Sequence, residues 1–151
     1  MRVQMNGLPN LKFPVFVIGP HALTRFKTPR DLLRSTERFM VFTFQDADLL
    51  DSSGRLHKVM HYSKIRRSLN PLDWFAPSGP IFRISIDLGE AHPLPLDEAK
   101  KKIRELVLTK RWLRGTHWSE SKFLEKLQSI RSFDELLANF SYLGPRFDAQ
   151  D

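Results

Sequence analysis

Two hydrophobic periodicities divide the chain, and their order limits the folds that it can adopt. Most segments with β-strand patterning lie before residue 90, whereas helical spacing dominates after residue 95. The clearest strand spans 81–88, where Phe82, Ile84, Ile86 and Leu88 alternate with polar residues. Apolar side chains at every second position form one buried face of a strand. Strands grouped before helices favour an α+β protein with a mostly antiparallel sheet.

A strand and a helix are predicted before residue 40. The continuous apolar run 13–18 predicts a strand that is buried on both faces. A helix is predicted over 28–40, because Thr28 can cap it and Pro29 suits its first turn. Its basic residues would then form a face opposite the apolar one.

A β-hairpin is predicted next. Aromatic and β-branched residues predict a strand over 40–44. The turn-forming residues 51–54 then predict a return strand over 55–62.

Three helices are predicted in the second half of the chain, from Asp97 to near Thr109, over 120–130 and over 133–140. Ser132 and Glu135 form a capping box for the last one. The predicted fold is therefore a small, mostly antiparallel sheet of order β-α-β-β-β, followed by three helices packed on one face.

Length and composition favour one compact domain. The chain has 151 residues, of which 41% are hydrophobic and 27% are charged, as in ordinary globular proteins. We expect a single domain over 1–147 and a mobile tail over 148–151. No signal-like segment, long apolar run or cysteine occurs. From these features we expect a cytoplasmic location and no membrane partner.

No motif in the sequence predicts a catalytic centre. Glycine-rich phosphate loops and the nucleophile elbow are missing from it. His57 and His61, four residues apart, would share one face of a strand, but no spacing singles out a third metal ligand. We interpret both as surface histidines, and we predict no catalytic residue, metal or cofactor. An enzyme site assembled from scattered residues, with His57, His61 and Asp46, is the second alternative for function.

The segment 68–80 is the strongest candidate for a binding site. Its three prolines and one glycine exclude a regular helix or a central strand. Long loops in compact domains are often functional, and this one carries Trp74 and Phe75 shortly after Arg66 and Arg67. Aromatic and arginine residues commonly anchor protein interfaces. The favoured hypothesis is a non-enzymatic module, immunity-like or inhibitor-like, that binds another protein through these four residues.

Nucleic-acid binding is the first alternative. The first 75 residues contain 12 basic and 6 acidic side chains, which accounts for most of the net charge of +7. Such an excess attracts phosphate backbones. This hypothesis assigns contacts to Lys27, Arg30, Arg34, Arg38, Lys58, Lys64, Arg66 and Arg67. It requires the basic helix face and the hairpin to lie on the same side of the molecule.

The predicted helix after Asp97 carries many cations, among them Lys100, Lys101 and Arg104. We interpret them as a solvated helix face, because acidic residues are interspersed. Leu108 and Trp112 lie four residues apart and off the buried stripe. The favoured interpretation is a seam against the next helix, and the alternative is an exposed contact with a partner.

The interface hypothesis predicts that Trp74→Ala and Phe75→Ala weaken partner binding and leave stability nearly unchanged. Proline limits the conformations of the loop, so a surface built on it loses less entropy on binding. The measurements are denaturant unfolding and partner affinity for both variants. A loss of about 3–5 kcal/mol in stability for each variant would instead identify both rings as core residues.

Overall fold

The computed structural model describes residues 3–4, 10–67 and 80–145. Its strands are β1 Val3–Gln4, β2 Val15–Ile18, β3 Leu23–Phe26, β4 Arg34–Thr36, β5 Asp48–Asp51, β6 Arg55–Arg67, β7 Ile81–Leu88, β8 His92–Pro93 and β9 Tyr142–Leu143. Its helices are α1 Pro29–Leu32, α2 Glu37–Phe44, α3 Leu96–Lys110, α4 Glu120–Ser129 and α5 Phe133–Asn139.

The predicted α+β class is confirmed. Every ladder in the described part is antiparallel, and the strand order is β1-β7-β6-β5-β2-β3-β9. Off this path, β4 pairs with β7 and β8 pairs with β6. The chain therefore forms one curled antiparallel sheet with helices packed against it.

The 13-residue strand β6 connects the part of the sheet formed by β5, β2, β3 and β9 to the part formed by β7, β1 and β4. Its first residues pair with β5 and β8, and from Val59 onwards it pairs with β7. The ladder with β7 shifts register between Val59 and His61, and again between Lys64 and Arg66. Met60 and Ile65 are thus bulge residues, and each bulge changes which face of the sheet the following side chains occupy.

Two hydrophobic clusters lie on opposite faces of the sheet. Phe16 and Ile18 belong to a cluster with buried residues of α3, α4 and α5. Val15 and Val17, which alternate with them, belong to a cluster with Leu32, Met40 and Phe44 of α1 and α2. The prediction that the first apolar run is buried on both faces is therefore confirmed. The three C-terminal helices contribute to the first cluster, and α1 and α2 contribute to the second, on the other face of the sheet.

The helix predicted over 28–40 is wrong beyond its first turn. Thr28 does cap α1, because its Oγ1 accepts a hydrogen bond from the Asp31 amide at 3.2 Å. The chain then leaves the helix to form β4, whose pairing with β7 begins where the Leu33 carbonyl accepts from the Ile84 amide at 2.9 Å. This ladder, between residues distant in sequence, outweighs local helix propensity.

The strand predicted over 40–44 is also wrong, because these residues belong to α2. Thr36 starts this helix, with its Oγ1 accepting from the Phe39 amide at 3.2 Å. Met40, Thr43 and Phe44 are the buried residues of α2, at the i, i+3 and i+4 spacing of one helix face. Packing of that face selects the helix over the β propensity of the segment.

The predicted turn at 51–54 is confirmed, but it joins β5 to β6. The fully buried Asp51 carboxylate accepts hydrogen bonds from the backbone amides of Lys12, Ser53 and Arg55 at 3.0–3.2 Å. Gly54 has φ +86°, a conformation that favours glycine. The return strand starts at Arg55 as predicted and extends to Arg67.

The three C-terminal helices lie within a few residues of their predicted positions. Ser132 caps α5, with its Oγ accepting from the Glu135 amide at 3.1 Å. The Glu135 carboxylate accepts from the Arg131 amide at 3.1 Å, one residue before the cap. Trp112 is buried in the cluster with α4 and α5, whereas Leu108, the other residue of the predicted seam, is half-buried and lies outside that cluster.

The alternation in β7 predicts opposite effects for two neighbouring substitutions. Ile84 is 1% exposed, whereas Ser85 is half-buried on the other face. Ile84→Asp places a carboxylate in the cluster with α2, and we expect it to destabilise the fold by several kcal/mol. Ser85→Asp should cost less than about 1 kcal/mol. Denaturant unfolding measures both, and equal losses would contradict the assigned faces.

Candidate functional site

Three arginines lie side by side across three strands. Arg83 of β7 is the Cα partner of Arg34 in β4 and of Arg66 in β6. Directly opposed residues of antiparallel strands lie about 4.5–5.5 Å apart at Cα and project from the same face. We call Arg34, Arg83 and Arg66 the arginine row, and we call the face that carries it the outer face.

The second bulge of β6 brings Arg66 into this row. Lys64 is opposite Ile84, a buried residue on the inner face, whereas Arg66 is opposite Arg83. In a regular strand, residues 64 and 66 would share one face. The extra residue Ile65 reverses the alternation and turns Arg66 outward.

The outer face is polar from the arginine row to Asp87 and carries the apolar Ile81 at the start of β7, and the inner face is packed. Beside the arginine row, Ser63 is opposite Ser85 and His61 is opposite Asp87. On the inner face, Tyr62 packs against Phe44 of α2, with 6.4 Å between ring centroids. The β4-β7-β6 part of the sheet is therefore covered by α2 on one face and carries polar residues on the other.

The arginine row concentrates positive charge. Arg83 and Arg66 are exposed and form no ion pair with an acidic residue of the described part. Like charges directly opposite each other in a ladder destabilise it. The row therefore has an electrostatic cost in the free protein, which an anionic partner would remove.

An apolar pocket adjoins the row at β4. Its volume is about 370 Å³, and Arg34 lines it together with Phe26, Phe39 and Ile81. Asp31, Ser35 and Thr36 form the rest of its polar wall. Arg34 thus belongs both to the basic row and to the edge of a pocket that can receive an apolar side chain.

The other predicted basic contacts do not join the row. Lys64 forms an ion pair with Glu37 of α2 at 3.1 Å, and its Nζ lies 4.8 Å from the centre of the Phe82 ring. Lys58 is opposite Asp48, near the start of β6. Arg67, a predicted partner-binding residue, is exposed and opposite Phe82.

The basic helix face that was predicted from 28–40 does not exist. Its four cations lie on different elements, because Lys27 precedes α1, Arg30 is in α1, Arg34 is in β4 and Arg38 is in α2. Of the predicted nucleic-acid contacts, the structure brings together Arg34 and Arg66, with Arg83 between them.

Two predicted site residues, Trp74 and Phe75, lie outside the described residues, as does the tail 148–151. The segment that carries both aromatics follows Arg67 and precedes β7, so it joins the two strands that hold Arg66 and Arg83. Sequence reasoning missed Arg83, although the alternation in 81–88 already placed it on the polar face.

The interpretation of His57 as a surface residue is wrong. His57 is 3% exposed, and its Nδ1 lies 3.0 Å from the Gly89 carbonyl oxygen, so this nitrogen carries the proton and donates. The first bulge of β6 leaves His57 on the face of Val59 and puts His61 on the outer face. The two imidazoles therefore point to opposite sides of the sheet and do not form one site.

The described part contains neither a candidate metal site nor a candidate membrane span. No group of three histidine, aspartate or glutamate side chains is arranged there to hold a metal ion. None of the helices in that part combines the length and apolar character that crossing a membrane requires.

Comparison with known proteins gives no relative. No protein-family model matches the chain, and neither curated proteins nor solved structures gave a match.

The repulsion within the row predicts that removing its central charge stabilises the protein. Arg83→Thr should raise the free energy of unfolding by about 0.5 kcal/mol at low salt, because threonine suits a strand and carries no charge. The gain should shrink as salt screens the row. Chemical denaturation at low and high ionic strength measures it.

Arg55→Thr is the matched control, because Arg55 is an exposed strand residue opposite Pro93. It reports the change in strand propensity alone. An equal, salt-independent gain in both variants would show that the arginines do not repel each other.

Proposed function

We propose that this protein is a binding module that recognises an acidic surface of another protein through the arginine row and the adjoining pocket. The observation that carries the proposal is the alignment of Arg34, Arg83 and Arg66 across three strands, beside a pocket lined by Phe26 and Phe39. Interfaces between proteins combine apolar pockets with arginine anchors.

The chemistry of arginine suits carboxylate recognition. A guanidinium can donate two parallel hydrogen bonds to one carboxylate, which a lysine ammonium cannot do. Ser63 and Ser85 add hydroxyl groups beside the row. A partner segment that presents Asp or Glu next to an apolar side chain would pair its carboxylates with the row and fill the pocket.

Nucleic-acid binding is the second candidate, and the same row favours it. Three neighbouring guanidinium groups can neutralise phosphates. Two observations support a protein partner over it. Lys64, one of the predicted phosphate contacts, is already paired with Glu37, and Lys58 lies near the other end of β6. The pocket beside Arg34 has an apolar wall, which suits a side chain of a protein.

The test compares the wild-type protein with Arg66→Glu plus Arg83→Glu as baits in quantitative affinity purification from the native host. Reversing two interface arginines should reduce recovery of the partner, because each such anchor contributes about 2 kcal/mol or more. Lys122→Glu is the control, since Lys122 is exposed on α4 and undergoes the same charge reversal.

Nuclease treatment and salt titration separate the two candidates. A protein partner should survive nuclease and be recovered with the control but not with the double variant. Binding of a labelled single-stranded oligonucleotide, with log K falling by about 0.7 per neutralised phosphate against log salt, would favour nucleic acid instead. Equal recovery of every protein by wild type and double variant would refute the proposed surface.

A further inference from the structure

A second surface, between α3 and α4 on the helical side of the molecule, contains two cavities. These cavities, of about 600 and 390 Å³, follow α3, and they adjoin at Leu108, which lines both. Leu124 of α4 and Leu113 contribute further apolar surface. We call this surface the α3–α4 groove.

The groove exists because α3 and α4 pack antiparallel. Lys100, near the start of α3, donates hydrogen bonds from its Nζ to the carbonyls of Gln128 and Ile130 at the end of α4, at 3.3 and 2.8 Å. These bonds satisfy carbonyls that a helix C-terminus leaves without intrahelical partners. Lys100 therefore fixes one end of the groove, and its cation is used within the fold.

The remaining cations along the groove are not used in this way. Lys101, Arg104, Arg111 and Arg114 line it, are exposed, and form no ion pair with a described acidic residue. The two acids that line the groove, Asp97 and Glu120, start α3 and α4 and so lie at its opposite ends. The centre of the groove is therefore apolar at the floor and positive at the rim.

The length of the groove matches a short helix. From Lys101 in α3 to Arg111, the residue that follows this helix, the axial distance is about 15 Å at 1.5 Å per residue. A helix of about three turns spans the same distance and presents apolar residues at i, i+4 and i+7 on one face.

We propose that the α3–α4 groove binds an acidic amphipathic helix of a partner protein, with its apolar face on Leu108 and Leu124 and its carboxylates on Lys101 and Arg104. Charge complementarity selects this occupant. A second copy of the chain would bring the same positive helices to the groove and would be repelled. The groove is separate from the arginine row, so this inference goes beyond the function proposed above.

The experiment uses three labelled helical peptides of about 14 residues, which span about 21 Å. The first has leucines at i, i+4 and i+7 with flanking glutamates. The second has lysine in place of each glutamate, and the third has serine in place of each leucine. Fluorescence anisotropy with the full-length protein should show saturable binding of the first peptide and at least about tenfold weaker binding of the other two.

Variants of the protein assign the binding to the groove. Lys101→Glu plus Arg104→Glu should weaken the acidic peptide at least about tenfold and reverse the preference towards the lysine peptide. Leu108→Ser should also weaken it, and since Leu108 is only half-buried the fold should persist, which a thermal melt checks. Lys122→Glu, on α4 but outside the groove lining, should bind like wild type.

Three results would overturn the inference. The first is no saturable binding of the acidic peptide, and the second is binding that the groove variants leave unchanged. The third is loss of the peptide signal in the arginine-row variant, which would move the peptide to the sheet face. A single-stranded oligonucleotide that displaces the peptide and loses affinity in the Lys101→Glu plus Arg104→Glu variant would replace the helix with a nucleic-acid ligand.

Discussion

The pairing of β6 with three other strands is the constraint on which both the fold and the candidate site depend. Its first residues complete the ladder with β5 and β8, and its remaining residues form the ladder with β7. The shift at Met60 keeps Val59 and Tyr62 against the core while His61 turns away from it. In the same way, the shift at Ile65 leaves Lys64 on the inner face and turns Arg66 to the outer face. Two extra residues thus decide which side chains of β6 face the core and which face away from it.

Lys64 and Arg66, only two residues apart, have different electrostatic surroundings because the second register shift puts them on opposite faces. Lys64 remains on the side of α2, where Glu37 neutralises it. Arg66, two residues later, is placed beside Arg83, which itself faces Arg34. An arrangement that opposes like charges lowers stability, and natural proteins typically accept such local costs at functional surfaces. The arginine row is therefore a stronger indication of an anion-binding surface than the overall basic charge is.

The spacing of apolar residues correctly predicted those strands and helices that bury the face this spacing defines. The alternation in β7 and the helical spacing in α3, α4 and α5 each match one buried face, so their positions were predictable from the sequence. The structure of the segment from Pro29 to Phe44 was not predictable in this way. The short ladder of β4 with β7 ends α1, and a second helix, α2, then forms because its face with Met40 and Phe44 is buried. Such a ladder joins residues about 50 positions apart, and no local signal encodes it.

The candidate site was also predictable only in part. Arg34 and Arg66 were predicted as basic contacts from composition alone, whereas their alignment depends on a bulge and on the β4 ladder, which sequence periodicity does not reveal. Arg83 was missed because it was considered only as the polar side of a strand. His57 was misassigned for a related reason, since the bulge at Met60 separates it from His61.

The bulges also affect how the molecule behaves next to other copies of itself. Between Met60 and Arg67, β6 has β7 on one side and no second ladder partner in the described part. Such an edge is a template for edge-to-edge pairing when it is long, flat and apolar. Here it carries 50%-exposed Ile65 and 52%-exposed Met60, both at bulges that interrupt the regular spacing of amide and carbonyl groups. Cations at Arg66 and Arg67 add repulsion between copies, so the irregularity that orients the arginine row also disfavours edge-to-edge pairing here.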